Sequence, residues 1–144
     1  MSKGPQDLWD FEGEWSLHRT IEDRLSGKSG ELTGKVAMKR GDVAGLIYRE
    51  EGQLRYGDEP PLTASRIYHW NEGKAGRIEV LFQDGRSFHD FSLDRTMPEA
   101  SHFCDPDMYY VTYDLSRWPE WSSAWRVVGP RKNYRMQSRY LRAF

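Results

Sequence analysis

The segment that most constrains the fold is an alternating run near the start of the chain, where Gly13-x-Trp15 opens a predicted strand. Trp15, Leu17, Arg19 and Ile21 fall on one face of that strand, because successive side chains of a strand point to opposite sides. Arg19 therefore lies on an otherwise apolar face. Burying an unpaired charge costs several kcal/mol, so an inward arginine needs partners that accept its hydrogen bonds. The run predicts a β-structure with a polar site inside it.

Alternation of period two recurs along most of the chain, only brief stretches could be helical, and the pattern predicts an all-β fold. Roughly eight to ten short antiparallel strands at this spacing fit either a sandwich or an up-and-down barrel. After the first strand, the residues that share one strand face are Leu32, Gly34, Val36 and Met38; Leu46, Tyr48 and Glu50; Leu62, Ala64, Arg66, Tyr68 and Trp70; Tyr109, Val111, Tyr113 and Leu115; and Lys132, Tyr134, Met136, Ser138, Tyr140 and Arg142.

Asp84-Gly85 is the strongest short-range hairpin signal in the chain. We predict a two-residue turn there, and His89 then shares the inward face of its partner strand. A longer loop would reverse that orientation. We also expect Asp105-Pro106 to bend or bulge the chain. The pairs that a two-residue turn predicts are Phe82 with Ser87, Val80 with His89, and Ile78 with Phe91.

Length and charge limit the classes of protein to which the chain can belong. Its 144 residues fit one domain, and we expect residues 1–144 to form a single barrel. A net charge of −1 creates no overall field that would attract nucleic acid or an anionic membrane. There is no signal-peptide core and no apolar run of about 18 residues. The single cysteine, Cys104, agrees with a reducing compartment. We expect a cytoplasmic protein without a membrane partner, and the sequence leaves the oligomeric state open.

The C-terminal region is basic, with tyrosines interleaved among the charges. On the outer face of a strand such charges usually serve solubility, and we interpret them in that way rather than as a track for single-stranded nucleic acid. We therefore expect no nucleic-acid partner. The residues concerned are Arg126, Arg131, Lys132, Arg135 and Arg139, with Tyr134 and Tyr140.

The first and last strands distinguish a barrel from a sandwich. In a closed barrel they are antiparallel neighbours, so Arg142 would lie near Trp15. An arginine over a tryptophan that plugs one barrel end, together with Gly13, resembles the signature of lipocalins and other calycins. The resemblance implies an antiparallel calycin-type barrel.

A wider resemblance covers nearly the whole chain. Its motifs resemble those of a family of small bacterial lipocalin-like domains of unknown function. The resemblance again implies a calycin-like barrel, and it brings no established activity and no catalytic residues. The motifs are Phe11-x-Gly13-x-Trp15, Arg66-x-Tyr68-x-Trp70, Asp84-Gly85-Arg86-x-Phe88-His89, His102-x-Cys104 and Gly129-Pro130-Arg131-Lys132-Asn133-Tyr134.

Inside such a barrel, the assigned strand faces gather arginines, a glutamate and several tyrosines, with Trp70 and Phe82 as aromatic walls. Guanidiniums and phenols together suit a carboxylate or a phosphate. We therefore predict binding of a small amphipathic, anionic ligand, with Arg19 and Arg66 as anchors for its acidic group. Alternatively, Glu50 pairs with one of these arginines and the network only stabilises the fold. The candidate ligand-binding residues are Arg19, Tyr48, Glu50, Arg66, Tyr68, His89, Tyr109, Tyr113, Tyr134 and Tyr140.

An enzyme is the alternative from another class. The combination of Tyr, Arg and Glu is similar in kind to that of phenolic acid decarboxylases, which also use a calycin barrel. In that family an arginine and tyrosines hold the carboxylate while a glutamate handles a proton. By that likeness Arg66, Tyr48 and Tyr68 would hold an acid, and Glu50 is the candidate catalytic residue.

His89 has several possible roles, because a neutral imidazole can act as a general base, a metal ligand or a hydrogen-bonded core residue. Binding of haem through His89 would resemble nitrobindin-like barrels. We expect a hydrogen-bonded core residue instead, with no metal and no cofactor. His102-x-Cys104 offers two metal ligands on one side of a strand, whereas a structural zinc site needs about four. Nothing in the sequence indicates that Cys104 is an activated thiolate.

Overall fold

The structure is a computed structural model that describes residues 3–41 and 44–143. Within this part of the chain, a short 3₁₀ helix, Leu8–Phe11, precedes ten strands. The predicted all-β fold is confirmed. The strands are β1 (Gly13–Asp23), β2 (Ser29–Arg40), β3 (Gly45–Tyr56), β4 (Leu62–Glu72), β5 (Arg77–Phe82), β6 (Ser87–Ser92), β7 (Glu99–Cys104), β8 (Asp107–Asp114), β9 (Trp121–Gly129) and β10 (Lys132–Arg142).

One antiparallel sheet in the order β6-β5-β4-β3-β2-β1-β10-β9-β8-β7 curls into a nearly closed barrel. The last strand pairs with the first, and Trp15 lies opposite Arg142, as the barrel prediction requires. β6 and β7 are the two ends of the sheet order, yet their side chains meet: the ring centroids of Phe88 and His102 are 5.4 Å apart. A barrel is therefore confirmed over a sandwich.

The 3₁₀ helix closes one end of the barrel. Asp7 caps it, because its carboxylate accepts a hydrogen bond from the backbone N–H of Trp9 at 3.0 Å. The ring of Phe11 then packs among three indoles, with centroids 5.4 Å from Trp70, 4.7 Å from Trp118 and 5.3 Å from Trp121. These apolar contacts exclude water from this end of the barrel.

Arg142 ties the helix to the last strand. Its guanidinium donates hydrogen bonds to the backbone carbonyls of Asp10 and of Glu12, the latter at 2.7 Å. The same group lies over Trp15, 4.0 Å from the ring centroid. The indole N–H of Trp15 donates to the carbonyl of Phe11 at 3.0 Å. The predicted arrangement of Arg142 and Trp15 is confirmed, and it fixes the plug.

β2 and β3 approach one another closely where Gly34 lies opposite Gly52. Leu17 of β1 lies opposite Gly34, which lies opposite Gly52, and Gly52 lies opposite Ala64. A Cβ on Gly34 would be 2.1 Å from the backbone carbonyl oxygen of Glu51. Glycine is therefore required at this position because of the close backbone approach.

The opposite end of the barrel carries the β1–β2, β3–β4, β5–β6, β7–β8 and β9–β10 turns, since β1 starts at the plugged end and every pairing is antiparallel. Asp105-Pro106 forms the β7–β8 turn, so the predicted bend is present. No helix in the described ranges is long and apolar enough to cross a membrane.

The predicted turn at Asp84-Gly85 is wrong in length, although the orientation of His89 is right. The amide of Gly85 donates to the carbonyl of Phe82, and the amide of Phe82 donates to the carbonyl of Arg86, so the loop holds three residues, 83–85. Gly85 has a φ of 90°, as the last residue of such a loop requires.

A bulge then corrects the register of this hairpin. Leu81, not Phe82, pairs with Ser87, while Val80 pairs with His89 and Ile78 with Phe91, as predicted. Phe88 is the extra residue on β6. Because of this bulge, both Phe88 and His89 line the interior.

Candidate functional site

A cavity of about 440 Å³ occupies the barrel between the plug and the open end. Near the open end it is lined by Arg66, Arg86, Cys104 and Tyr134. Its walls include all ten candidate residues and both predicted aromatic walls, Trp70 and Phe82. The face assignments made from alternation therefore bring the whole candidate set together around one cavity.

Other lining residues were not among the candidates. Extending the alternation of β9 back from Trp125 leads to Ser123 and Trp121, and Met136 shares the face of Tyr140. The bulge at Phe88 has no signal in the alternation. The lining residues outside the candidate set and the two predicted walls are Val80, Arg86, Ser87, Phe88, His102, Cys104, Trp121, Ser123, Trp125 and Met136.

A buried ion pair forms one wall of the cavity. Nη1 and Nη2 of Arg19 donate to the two carboxylate oxygens of Glu50 at 2.7 and 2.8 Å. Nε of Arg19 donates to the hydroxyl of Ser138 at 2.7 Å, across the β1–β10 pair. The side chains are 6% and 1% exposed. The inward arginine thus has the partners that its burial demands.

Two phenols extend this network. The hydroxyl of Tyr48 donates to Glu50 at 2.7 Å, and it lies 2.8 Å from the hydroxyl of Tyr140. Burial, with the nearby negative charge of Glu50, raises the pKa of both phenols above the ordinary value. Both phenols therefore keep their protons at neutral pH and act as hydrogen-bond donors.

For both Glu50 and Arg19, the effect of their ion pair on the pKa outweighs the effect of burial. Burial raises the pKa of Glu50, but the hydrogen bonds and charge of Arg19, with the bond from Tyr48, bring it below the usual value. Burial likewise lowers the pKa of Arg19, and the bond to Glu50 raises it above the usual value. The pair is fully ionised at neutral pH and carries no net charge.

Arg66 is placed differently from Arg19. It lines the cavity, as its place on the inward strand face predicts, but 46% of its side chain is exposed to solvent. Its Nε lies 4.0 Å from Glu50. The carboxylate of Glu50 already accepts three shorter hydrogen bonds from Arg19 and Tyr48, so Arg66 keeps its contact with solvent at the mouth of the cavity.

His89 is partly buried and hydrogen-bonded, with Nε2 2.8 Å from the hydroxyl of Tyr113. Its Nδ1 is buried and has no hydrogen-bond partner in the part of the chain that the structure describes. Burial lowers the pKa of His89 from 6.5 to about 3, so the imidazole is neutral. Burial also raises the pKa of Tyr113 well above its usual value.

Aromatic rings make up most of the remaining wall. Phe88 stacks between Phe82 and Trp125, with centroid distances of 4.5 and 5.3 Å and interplanar angles of 20 and 17°. Deeper in the barrel, Trp121 stacks on Tyr140 at 3.7 Å. Such walls suit a flat apolar body.

The geometry gives little support to metal chemistry. His102 and Cys104 both lie at the cavity, and Cys104 is exposed. Within residues 3–41 and 44–143, no group of three or more His, Cys, Asp or Glu side chains is arranged to hold a metal ion. The absence of a cofactor stays a prediction.

The barrel fold agrees with what comparison with known proteins shows. The chain belongs to the family of unknown function DUF6314, which it matches over residues 11–142. This confirms the resemblance to an uncharacterised family. No curated protein sequence matches the chain significantly.

Among solved structures, the fold is similar to that of the S-type phycobiliprotein lyase CPES from Guillardia theta, with a TM-score of 0.65. The sequences are 9% identical, and the match covers 95% of this chain and 90% of the lyase chain. At this identity the likeness concerns the fold alone. It confirms the calycin-like architecture.

Proposed function

We propose that the barrel binds a small amphipathic acid in its cavity and that Arg66 holds the acidic group. The observation that carries this proposal is a cavity of about 440 Å³ with aromatic walls and a half-exposed guanidinium at its mouth. Ligand pockets usually measure about 300–1,000 Å³ and combine apolar walls with a few polar groups. This cavity meets both criteria.

Arg66 is a better anchor than Arg19 for electrostatic reasons. The charge of Arg19 is already neutralised by two hydrogen bonds to Glu50. Arg66 has only a 4.0 Å approach to the same carboxylate, so its charge is less fully matched. A carboxylate, sulfonate or phosphate would add a bidentate partner there without first breaking a buried ion pair.

Binding is favoured over Glu50-dependent catalysis. A general acid or base works best when its pKa lies near the working pH, whereas the pKa of Glu50 lies below its usual value. Glu50 also accepts three hydrogen bonds already. Haem binding through His89 is disfavoured for a similar reason, because Nε2 is bonded to Tyr113 and Nδ1 is buried.

Fluorescence titration with anilinonaphthalene sulfonate, an amphipathic aromatic anion, tests the proposal. Aromatic and aliphatic carboxylates then compete with the probe. We expect Arg66→Met to weaken binding by about tenfold to hundredfold, since a charge-assisted hydrogen bond contributes about 1.5–3 kcal/mol. Arg86→Met is the matched control: Arg86 also lies at the rim, but it pairs with Asp84 at 2.8 Å and is largely exposed. Its effect should stay below about threefold.

Ser123→Trp provides the second arm of the experiment, because Ser123 is a buried, cavity-lining residue whose enlargement would fill the interior. We expect this variant to lose probe binding while still melting cooperatively. Unchanged binding would place the probe outside the cavity and overturn the proposal. Conversion of a bound acid by the wild-type protein would replace the binder with an enzyme.

A further inference from the structure

We propose that the deep end of the cavity holds a second, uncharged polar subsite at Tyr113. The ligand would then be a flat aromatic acid that carries an oxygen acceptor at the end opposite to its acidic group. This inference rests on the proposed function, because it takes Arg66 as the site of the acidic group.

The two subsites lie at different depths. Four residues of β4 separate Arg66 from Trp70, which is about 13 Å at roughly 3.3 Å per residue. The ring of Tyr113 packs against Trp70, with centroids 6.4 Å apart, and His89 is bonded to Tyr113. Trp70 also packs on Phe11 of the plug. The His89–Tyr113 pair therefore belongs to the closed end, whereas Arg66 belongs to the mouth.

The hydrogen bond between His89 and Tyr113 leaves one donor, the hydroxyl of Tyr113, available for a ligand. A neutral imidazole carries one proton, and a proton on Nδ1 would be a buried donor without a partner. Orphaned buried N–H groups are rarer than orphaned acceptors. The proton is therefore assigned to Nε2, which donates to the hydroxyl oxygen of Tyr113 in this tautomer. The hydroxyl proton of Tyr113 is then free to be donated to a ligand.

The surroundings of Tyr113 select an uncharged acceptor on a flat body. Its ring stacks on Phe91 at 4.1 Å and on the His89 ring at 5.9 Å, and it meets Trp70 edge to face. A second carboxylate in this setting would be a buried charge without a cation, which is costly. A hydroxyl, ether or carbonyl oxygen accepts one hydrogen bond and avoids that cost.

The test is a series of rigid aromatic carboxylates with increasing length: benzoate, naphthoate and biphenyl carboxylate. Each is compared with a partner that bears a hydroxyl, and one that bears a methoxy group, at the end opposite to the carboxylate. We expect the hydroxyl and methoxy compounds to bind about three- to tenfold more tightly than the parent in at least one of the two longer sets. A naphthalene dicarboxylate with acids at both ends should bind at least about tenfold more weakly than naphthoate.

Tyr113→Phe should remove the preference for the oxygen-bearing acid and leave the affinity for the parent acid within about twofold. Tyr109→Phe is the matched control, because Tyr109 lies on the same strand and also lines the cavity but is nearer the mouth. It should keep the preference. If Tyr113→Phe does not fold, the relative affinities of the wild-type protein for the hydroxyl, methoxy and dicarboxylate ligands still test whether the deep end of the cavity accepts an uncharged oxygen.

Failure of the Tyr113 subsite can be distinguished from failure of the proposed function. Parent acids that bind in an Arg66-dependent way without any preference for the far oxygen would overturn the subsite and leave the proposed function standing. The same holds if the preference survives Tyr113→Phe. If none of the acids binds to the wild-type protein, the proposed function fails and the subsite fails with it.

Discussion

The carboxylate of Glu50 accepts hydrogen bonds from both terminal nitrogens of the Arg19 guanidinium, although the two residues lie on strands that β2 separates. The pair is almost completely buried. This geometry neutralises Arg19 inside the barrel, whereas Arg66 at the mouth of the cavity is half exposed. Under the proposed function, Arg19 stabilises the fold and Arg66 recognises the ligand, although alternation in the sequence places both on inward strand faces.

Glu50→Gln should lower the free energy of unfolding by about 3–5 kcal/mol, because it leaves Arg19 as an uncompensated buried charge. Denaturant-induced unfolding followed by Trp fluorescence measures this change. Glu31→Gln removes the carboxylate of an exposed pair with His18 and should cost less than about 1 kcal/mol. A loss below 1 kcal/mol for Glu50→Gln would show that water reaches the pair.

Replacing the whole pair should cost less than breaking it. The double variant Arg19→Met/Glu50→Leu removes both charges and should be more stable than Glu50→Gln alone, because no buried charge is left over. The same unfolding measurement, completed with both single variants, gives the coupling free energy. A double variant as unstable as the sum of the single changes would contradict a direct interaction.

The neutral state of His89 predicts a pH dependence of stability. Its pKa is about 3 in the folded protein and 6.5 in the unfolded chain, so the unfolded chain binds more protons between these values. Stability is therefore fully present above pH 6.5 and is lost as the pH falls towards 3, by up to about 1.4 kcal/mol per pH unit. Plotted against pH across this range, the free energy of unfolding should have a smaller slope for His89→Gln than for the wild-type protein.

Arg142→Met should loosen the plug. The substitution removes hydrogen bonds to the carbonyls of Asp10 and Glu12 and the cation that covers Trp15, and charged hydrogen bonds contribute about 1.5–3 kcal/mol. We expect faster amide hydrogen exchange at Glu12, whose N–H bonds to the carbonyl of Trp9. Arg139→Met, on an exposed ion pair of the same strand, is the control and should leave that exchange rate unchanged.

Gly34→Ala should destabilise the barrel by about 1–3 kcal/mol, because the added Cβ would lie 2.1 Å from a backbone oxygen of β3 and the strands would have to separate. A thermal melt measures the effect. Gly4→Ala is the control, since its Cβ meets nothing closer than 4.0 Å. Equal melting temperatures for the two variants would disprove the close approach of β2 and β3.

The strand faces could be predicted because alternation is a local property of extended backbone. Arg19, Tyr48 and Glu50 all point inward for that reason, and each lines the cavity as expected. The position of Arg142 over Trp15 also followed from the sequence, since closing a barrel makes the first and last strands neighbours. These inferences require only the period of two and the topology.

Other features depend on distances between strands that are remote in sequence. Glu50 pairs with Arg19, two strands away, although Arg66 lies directly opposite it on β4, and Arg66 is half exposed. The loop at Asp84-Gly85 is one residue longer than the sequence predicts, and the bulge at Phe88 restores the inward orientation of His89.

The sequence by itself determined the all-β class, the inward residues and the meeting of the chain ends, because side-chain direction along a strand depends only on neighbouring residues. Only the tertiary structure decided the ion pairing, the cavity and the partner of His89. Hydrogen-bond partners and cavity volume depend on how the curved strands face one another across the interior, and neither quantity is present in any single segment.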